Sequence, residues 1–206
     1  MNEAAAREEI LEFMHEAEAR PAHVGHVARL ALQLFDQLAA LHGLGARDRL
    51  FLEAAACLHD IGHRGATPGA GHHHESARMI RERPWKQFNR SEVEVIAQVA
   101  RYHRKAMPEM AHEEFKSLTE WDRHVVQRLA AMLRLADAFD RSHAQHIEQV
   151  IVELPVNRII FRLESAGPVL REVQAASLKG DLARAVFQRD LVFIFDDEEV
   201  KPPAAT

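Results

Sequence analysis

The chain has 206 residues, of which 47% are hydrophobic and 28% charged, with only 9 glycines and 8 prolines. This composition is typical of a globular domain and excludes collagen-like, low-complexity and wholly disordered chains. A formal charge of −5 provides no net basic field that would attract nucleic acid. No apolar run approaches the roughly 18 to 20 residues of a membrane-spanning helix, and the start, MNEAAAREE, does not resemble a secretory signal. We therefore expect a cytoplasmic protein that binds neither nucleic acid nor a membrane.

Apolar residues recur at steps of three and four through most of the first 145 residues, which is the period of an amphipathic helix. The pattern predicts helices over residues 7–19, 21–41, 48–58, 73–83, 92–103 and 120–142. His42 and Gly43 mark the end of the second helix, and the loop RGATPGAG follows the third. Ser91 is the expected N-cap of the fifth helix.

The pattern changes after Ile147, where the stretches VIVEL and RIIFRLES are rich in β-branched residues and flank a turn-forming segment. They predict a β-hairpin. Helical spacing returns over residues 168–188, with Gly180 as a point of division, and LVFIF predicts one more strand. The acidic residues 196–199 are expected to form a solvated, frayed tail. The fold class is thus mainly α, with a helical domain over 1–146 and a small ββαβ subdomain with an acidic tail over 147–206.

The 14 histidines are the unusual feature of the composition, because His is the commonest metal ligand in proteins. Helical phase places His23, His59 and His103 on apolar faces, and it places Asp137 on the apolar face of the last long helix. Asp60 follows His59 directly. One inward histidine is usually a hydrogen-bonded core residue, and one inward aspartate often links two helices. Inward ligands on four helices instead indicate a shared metal site, because a buried carboxylate needs a cation or a hydrogen-bonding partner.

These residues match a known signature. His23, the doublet His59-Asp60 in LHDIGH, and Asp137 in RLADAFD resemble the H…HD…D signature of the HD superfamily of metal-dependent phosphohydrolases. More narrowly, four stretches are similar to the C-terminal HD-like domain of the exopolyphosphatase and guanosine pentaphosphatase family: HVARLALQLFDQL, GHHHESARMI, IAQVARYHRKAMP and LAAMLRLADAFDRSH. The resemblance extends into the ββαβ segment. That family carries its polyphosphate chemistry in two actin-like domains with no counterpart in these residues, so we do not expect that activity to transfer.

The resemblance implies a ligand set for one or two divalent transition-metal ions per chain, such as Mn, Fe, Zn or Ni. The implied ligands are His23, His59, Asp60, His73, His103 and Asp137. His72 and His74 compete with His73 for its place, and His26 is the rival of His23. The other histidines are assigned to solvent or to helix caps: His15, His26, His42, His112, His124, His143 and His146.

The function implied by the resemblance is hydrolysis of a phosphate ester or anhydride of a nucleotide or another small phosphorylated metabolite by a metal-activated hydroxide. The candidate catalytic residues are Asp60, as the bridge between two ions, with His63 and Arg64. Arg104, Lys105 and Arg141 are the candidate phosphate-binding residues. A cyclic-dinucleotide phosphodiesterase is disfavoured because KAMPEM, rather than a GYP-like segment, follows RYHR. The alternative is a non-catalytic regulatory module with the same fold, and a homodimer is compatible with either function.

Overall fold

Helices make up most of this chain in a computed structural model, which describes residues 2–63, 71–195 and 198–200. The helices that precede the sheet are α1 (Glu3–Ala17), α2 (Pro21–Gln37), α3 (Ala39–His42), α4 (Ala46–Leu58), α5 (His72–Glu82), α6 (Arg90–Arg101), α7 (Glu113–Lys116) and α8 (Glu120–Ala138). A short 3-10 turn, Ile61–His63, follows α4. No helix in the described ranges is both long and apolar enough to cross a membrane.

The six predicted helices are present, with differences at their ends. The predicted helix over 21–41 is interrupted at Leu38, so that α3 is a separate turn that ends at Gly43 in the left-handed conformation. Asn89, not Ser91, is the N-cap of α6. Its side chain accepts hydrogen bonds from the backbone N–H groups of Ser91 and Glu92, and the Glu92 carboxylate accepts from the Asn89 N–H in return. This reciprocal cap satisfies more donors than Ser91 alone would.

The C-terminal segment forms the predicted hairpin and adds features that the periodicity did not show. Its elements are β1 (Ile147–Glu153), β2 (Arg158–Ser165), α9 (Leu170–Lys179), α10 (Asp181–Phe187), β3 (Asp190–Phe195) and β4 (Glu198–Val200). The sheet order is β1-β2-β3-β4, with β1 antiparallel to β2, β3 parallel to β2, and β4 antiparallel to β3. Gly180 separates α9 from α10, as expected. The prediction of a frayed acidic tail is wrong for Glu198 and Glu199, whose backbone pairs with β3, and residues 196–197 lie outside the described residues.

The sheet and the helical bundle share one hydrophobic cluster, which includes Leu30 of α2, Phe139 after α8 and Phe161 of β2. Phe139 contacts Phe161 edge to face, with ring centroids 6.1 Å apart. The buried side chain of Arg134 on α8 also binds the backbone carbonyl of Lys179 and the carboxylate of Asp181. The segment after residue 146 is therefore packed against the helices that carry the predicted ligands, while the domain boundary at 146 stays a prediction.

Candidate metal centre

Five helices and the turn after α4 bring together five of the six predicted ligands, all but His73, along with His72. His23 lies in the first turn of α2, His59 and Asp60 follow α4, and His103 follows the end of α6. Asp137 lies in the last turn of α8, and the first residue of α5 is His72. The apolar face of each helix faces the common core, so the polar residues in phase with those faces point to one place.

Three of the histidines are each held by a hydrogen bond from Nδ1. The Nδ1–H group of His23 donates to Asp140 at 2.7 Å, that of His59 to the Ala56 carbonyl at 2.7 Å, and that of His103 to the Ala100 carbonyl at 2.6 Å. This leaves Nε2 of the neutral ring as the acceptor atom that can bind a metal. Nε2 of His23 and Nε2 of His59 are buried and have no hydrogen-bond partner among the described residues. Such atoms are costly unless a ligand satisfies them.

The two aspartates point their Oδ1 atoms at these imidazoles. Asp60 Oδ1 lies 3.2 Å from His72 Nε2, 3.7 Å from His59 Nε2 and 3.8 Å from His103 Nε2. Asp137 Oδ1 lies 3.7 Å from Nε2 of both His23 and His59. Within 4.8 Å, these ligand atoms form two groups that could hold a metal ion, His23-His59-Asp60 and Asp60-His72-His103. Asp60 belongs to both groups, and mixed imidazole and carboxylate donors suit a divalent transition metal.

The electrostatics of the site favour a bound cation. Burial raises the pKa of Asp60, but the neighbouring His59, His72 and His103 outweigh it, so the net pKa lies well below its ordinary range. Burial lowers the pKa of His23, but its hydrogen bonds to Asp137 and Asp140 outweigh burial and raise the pKa to about 9. Burial also keeps the pKa of His103 well below its ordinary value. The site therefore contains ionised carboxylates; without a metal, His23 shares their charge as an imidazolium, and an ion bound at its Nε2 would replace that proton.

His72, rather than His73, faces Asp60. His73 is the next residue of α5, and its buried Nδ1 has no hydrogen-bond partner in the described parts of the chain. Burial, with His74 and His72 nearby, lowers the pKa of His73 to about 4. Neighbouring residues of a helix point about 100° apart, so His73 does not share the direction in which His72 meets the shared carboxylate. His74 is exposed. The structure therefore places the rival His72 beside Asp60, where the prediction put His73, and which of the two binds an ion stays a prediction.

A cavity of about 220 Å³ opens above the two aspartates. The described residues that line it are Arg20, Asp60, His63, His72, His103, Arg104, Asp137, Arg141, His143 and Lys179. The predicted residues His63, Arg104 and Arg141 are therefore at the cavity. Lys105 is exposed and is not among the described lining residues. Arg64 lies outside the described residues.

Four residues at the site were missed by the sequence analysis. Asp140 orients His23 and lies one helical turn after Asp137, so the phase of α8 would have revealed it. His143 is exposed, as its assignment to solvent expected, but its ring also stacks on that of His23 with centroids 4.0 Å apart. Arg20 and Lys179 reach the cavity from the start of α2 and the end of α9. No local sequence pattern marks either cation, because their contacts are long-range.

Fold and site together define a helical domain that carries a buried His and Asp cluster able to hold a metal ion, followed by a small sheet. The family model for Ppx/GppA phosphatase, domain III, matches residues 8–182, and the chain belongs to that family. This confirms the resemblance to the C-terminal domain of the exopolyphosphatase family, whereas membership of the wider HD superfamily stays a prediction. No curated protein matched the sequence.

Proposed function

We propose that this chain is a metal-dependent phosphohydrolase that cleaves a phosphate ester or anhydride of a nucleotide or another small phosphorylated metabolite. The observation that carries the proposal is the pair of ligand groups sharing Asp60, in the first of which the buried Nε2 atoms of His23 and His59 have no partner among the described residues. A purely structural His and Asp cluster would be expected to satisfy these nitrogens with hydrogen bonds. Membership of a phosphatase family is consistent with phosphate as the reacting group.

The proposed ligands fall into two sets. His23, His59, Asp60 and Asp137 would hold one ion, and Asp60, His72 and His103 would hold the other. When bound, divalent ions at these positions would acidify a water molecule and neutralise charge on the phosphoryl oxygens. The carbonyls of Ala56 and Ala100 fix the rings of His59 and His103, so the donor atoms are in place before an ion arrives.

The remaining residues of the cavity would bind the substrate and move a proton. Arg104 and Arg141 supply positive charge at the cavity wall, where it stabilises the negative charge that grows on a phosphoryl group. His63 stacks on His72 with ring centroids 3.7 Å apart, and its Nε2 lies 3.5 Å from Asp60 Oδ2. Burial lowers the pKa of His63, so its ring would be mostly neutral near pH 7 and available to accept a proton in the cavity.

The test combines a metal count with a hydrolysis panel. Tag-free protein is analysed for bound transition metals and then assayed on phosphate esters and anhydrides, alongside Asp60→Asn and a surface control, Asp36→Asn. Asp36 binds Arg49 at the surface and is remote from the cluster. We expect one or two ions per chain in the parent and the control. Asp60→Asn should lose bound metal and lower the rate on the order of a thousandfold, because several kcal/mol of transition-state stabilisation are lost.

Circular dichroism of Asp60→Asn shows whether its fold survives. A folded parent protein that takes up no Mn, Fe, Zn or Ni would contradict the enzyme hypothesis and would favour a regulatory module of the same fold. Ion uptake with no hydrolysis of any substrate would favour a structural metal.

A further inference from the structure

Two cations reach the cluster from outside the ligand motif. Arg20 is the residue before α2, and its Nη2 atom donates to Asp60 Oδ2 at 2.7 Å. Lys179 is the last residue of α9, and its Nζ atom donates to Asp137 Oδ2. Each cation therefore pairs with one of the two carboxylates of the site. Both line the cavity, and their side chains are 36% and 25% exposed, so they can also reach a molecule bound there.

The two cations and the imidazoles of the proposed ligands use different oxygens of the same carboxylates, whereas His63 lies on the Oδ2 side of Asp60. Oδ1 of Asp60 and Oδ1 of Asp137 face the Nε2 atoms of the histidines. The Oδ2 atoms face Arg20 and Lys179. An ion held through Oδ1 would not have to displace either cation. The two positive groups would then remain at the edge of the ligand cluster while an ion is bound.

The surrounding structure holds both cations in position. Arg134 on α8 donates to the backbone carbonyl of Lys179 at 3.2 Å, and it lies one helical turn before Asp137 on the same helix. The end of α9 is thus tied to the helix that carries the partner of Lys179. Nη1 of Arg20 donates to His143 Nδ1 at 3.2 Å, and His143 in turn stacks on His23. These anchors reduce the conformational entropy lost when a ligand binds.

Both cations retain the chemistry needed to bind an oxyanion. A guanidinium group has five N–H donors and an ammonium group has three, so one bond to a carboxylate leaves donors for a second acceptor. Phosphate oxygens are strong acceptors for both groups. Arg20 and Lys179 lie on different elements and both border the space above the ligand cluster.

We propose that Arg20 and Lys179 form a paired site for a phosphate dianion, with one cation beside each metal-binding carboxylate. This proposal rests on the proposed function and adds two substrate-positioning residues to it. It also means that the C-terminal segment contributes a residue to the site. Among the described residues that line the cavity, only Lys179 lies after residue 146. The alternative is that both cations only position Asp60 and Asp137.

The test measures binding of inorganic phosphate to the full chain by calorimetry, with the metal content determined for every sample. The variants are Arg20→Gln, Lys179→Gln and the double variant, with Lys179→Arg as the conservative replacement. Arg78→Gln and Lys116→Gln are the matched controls, because both residues form exposed ion pairs within one helix. All proteins are compared at an ion concentration that restores the metal content of the parent.

We expect each single variant to weaken phosphate binding on the order of tenfold and the double variant roughly a hundredfold, at unchanged metal content. Lys179→Arg should recover most of the affinity, and the controls should match the parent. Phosphate affinity equal to that of the parent in both single variants would overturn the proposal. A variant whose metal content cannot be restored would also overturn the proposal, because Arg20 and Lys179 would then serve only to position the metal-binding carboxylates.

The two proposals can fail separately. If the parent hydrolyses phosphate compounds and the variants bind phosphate normally, the function stands and the paired site does not. If the parent binds phosphate through these two residues but hydrolyses nothing, the paired site stands and the enzyme hypothesis does not. A metal-loaded parent that binds no phosphate would overturn the paired site directly.

Discussion

At the scale of single residues, Asp140 fixes the tautomer and the orientation of the His23 ring. Both carboxylate oxygens of Asp140 are engaged, because Oδ2 accepts from His23 Nδ1 at 2.7 Å and Oδ1 accepts from the Gln145 N–H group at 2.7 Å. The side chain of Asp140 is 1% exposed. A carboxylate fixed at both oxygens holds the imidazole in one tautomer and one orientation, with Nε2 towards the cluster.

Asp140→Asn should therefore weaken metal binding without removing a ligand. The amide keeps the size of the side chain but loses the charge that makes His23 a stronger donor, so we expect a 10- to 100-fold lower affinity for the ion. The measurement is a competitive metal titration against a chelator, with Asp36→Asn as the surface control. If Asp140→Asn and the parent bind the metal ion with equal affinity, the charge of Asp140 does not contribute to metal binding by His23.

Helical phase was sufficient to predict the inward direction of His23 and Asp137, because each lies inside a long amphipathic helix. It was not sufficient to choose between His72 and His73, since both lie at the start of α5 and a shift of one residue turns a side chain by about 100°. Arg20 and Lys179 could not be predicted from the sequence. Their partners are 40 and 42 residues away along the chain, and tertiary packing alone brings them together.

At the scale of elements, side chains of α2 cover the edge strand β1 of the sheet. Gln37 accepts from the Val152 N–H group at 2.9 Å and donates to the Val150 carbonyl at 2.7 Å, while Gln33 accepts from the Val150 N–H group at 3.1 Å. Side chains of a helix thus bind the backbone groups of β1 that another strand would otherwise bind. An unprotected edge strand favours aggregation. The same helix carries His23, so this contact also links the sheet to the metal site.

Gln37→Ala should lower the free energy of unfolding by about 1–2 kcal/mol, because two buried or half-buried hydrogen bonds are lost and their backbone partners remain. Urea unfolding followed by circular dichroism measures this change, and light scattering after incubation measures association through the freed edge. Gln174→Ala on the exposed face of α9 is the control and should behave like the parent. A Gln37→Ala protein as stable as the parent would show that water replaces the side chain at no cost.

The β-branched stretches and their turn predicted the β1-β2 hairpin, because local alternation and turn residues specify a hairpin. They did not predict that β3 lies parallel to β2. Parallel pairing requires a crossover, here through α9 and α10, and a crossover leaves no local pattern. The short strand β4 falls in an acidic stretch whose composition favours solvent, so its pairing with β3 is likewise a tertiary effect.

At the scale of the whole molecule, the ligand groups join parts of the chain that pack around one core. The first group draws on α2 and the turn after α4, and the second on that turn, the start of α5 and the end of α6. An ion in either group would cross-link these elements in the folded state and not in the unfolded one. Bound metal would therefore stabilise the whole fold by an amount that grows with the logarithm of the ratio of ion concentration to the dissociation constant.

Metal removal should accordingly lower the melting temperature. At an ion concentration of about one hundred times the dissociation constant, one site contributes about 2.7 kcal/mol. For a chain of this size that corresponds to a Tm shift of roughly 5 to 10 °C in calorimetry with and without a chelator. Because Asp60 belongs to both groups, we expect two ions. His23→Asn and His103→Asn should then each retain one ion and part of the shift, and the exposed His15→Asn should retain both.

Together, His23→Asn and His103→Asn show whether the chain binds one ion or two. If His103→Asn keeps the full shift and the full metal content while His23→Asn loses both, the chain holds one ion in the His23 group, and His72 and His103 would contact substrate instead. If neither variant changes the shift, the stabilising ion binds elsewhere on the chain. Loss of one ion from each variant would support a shared carboxylate at Asp60, because neither group is complete without it.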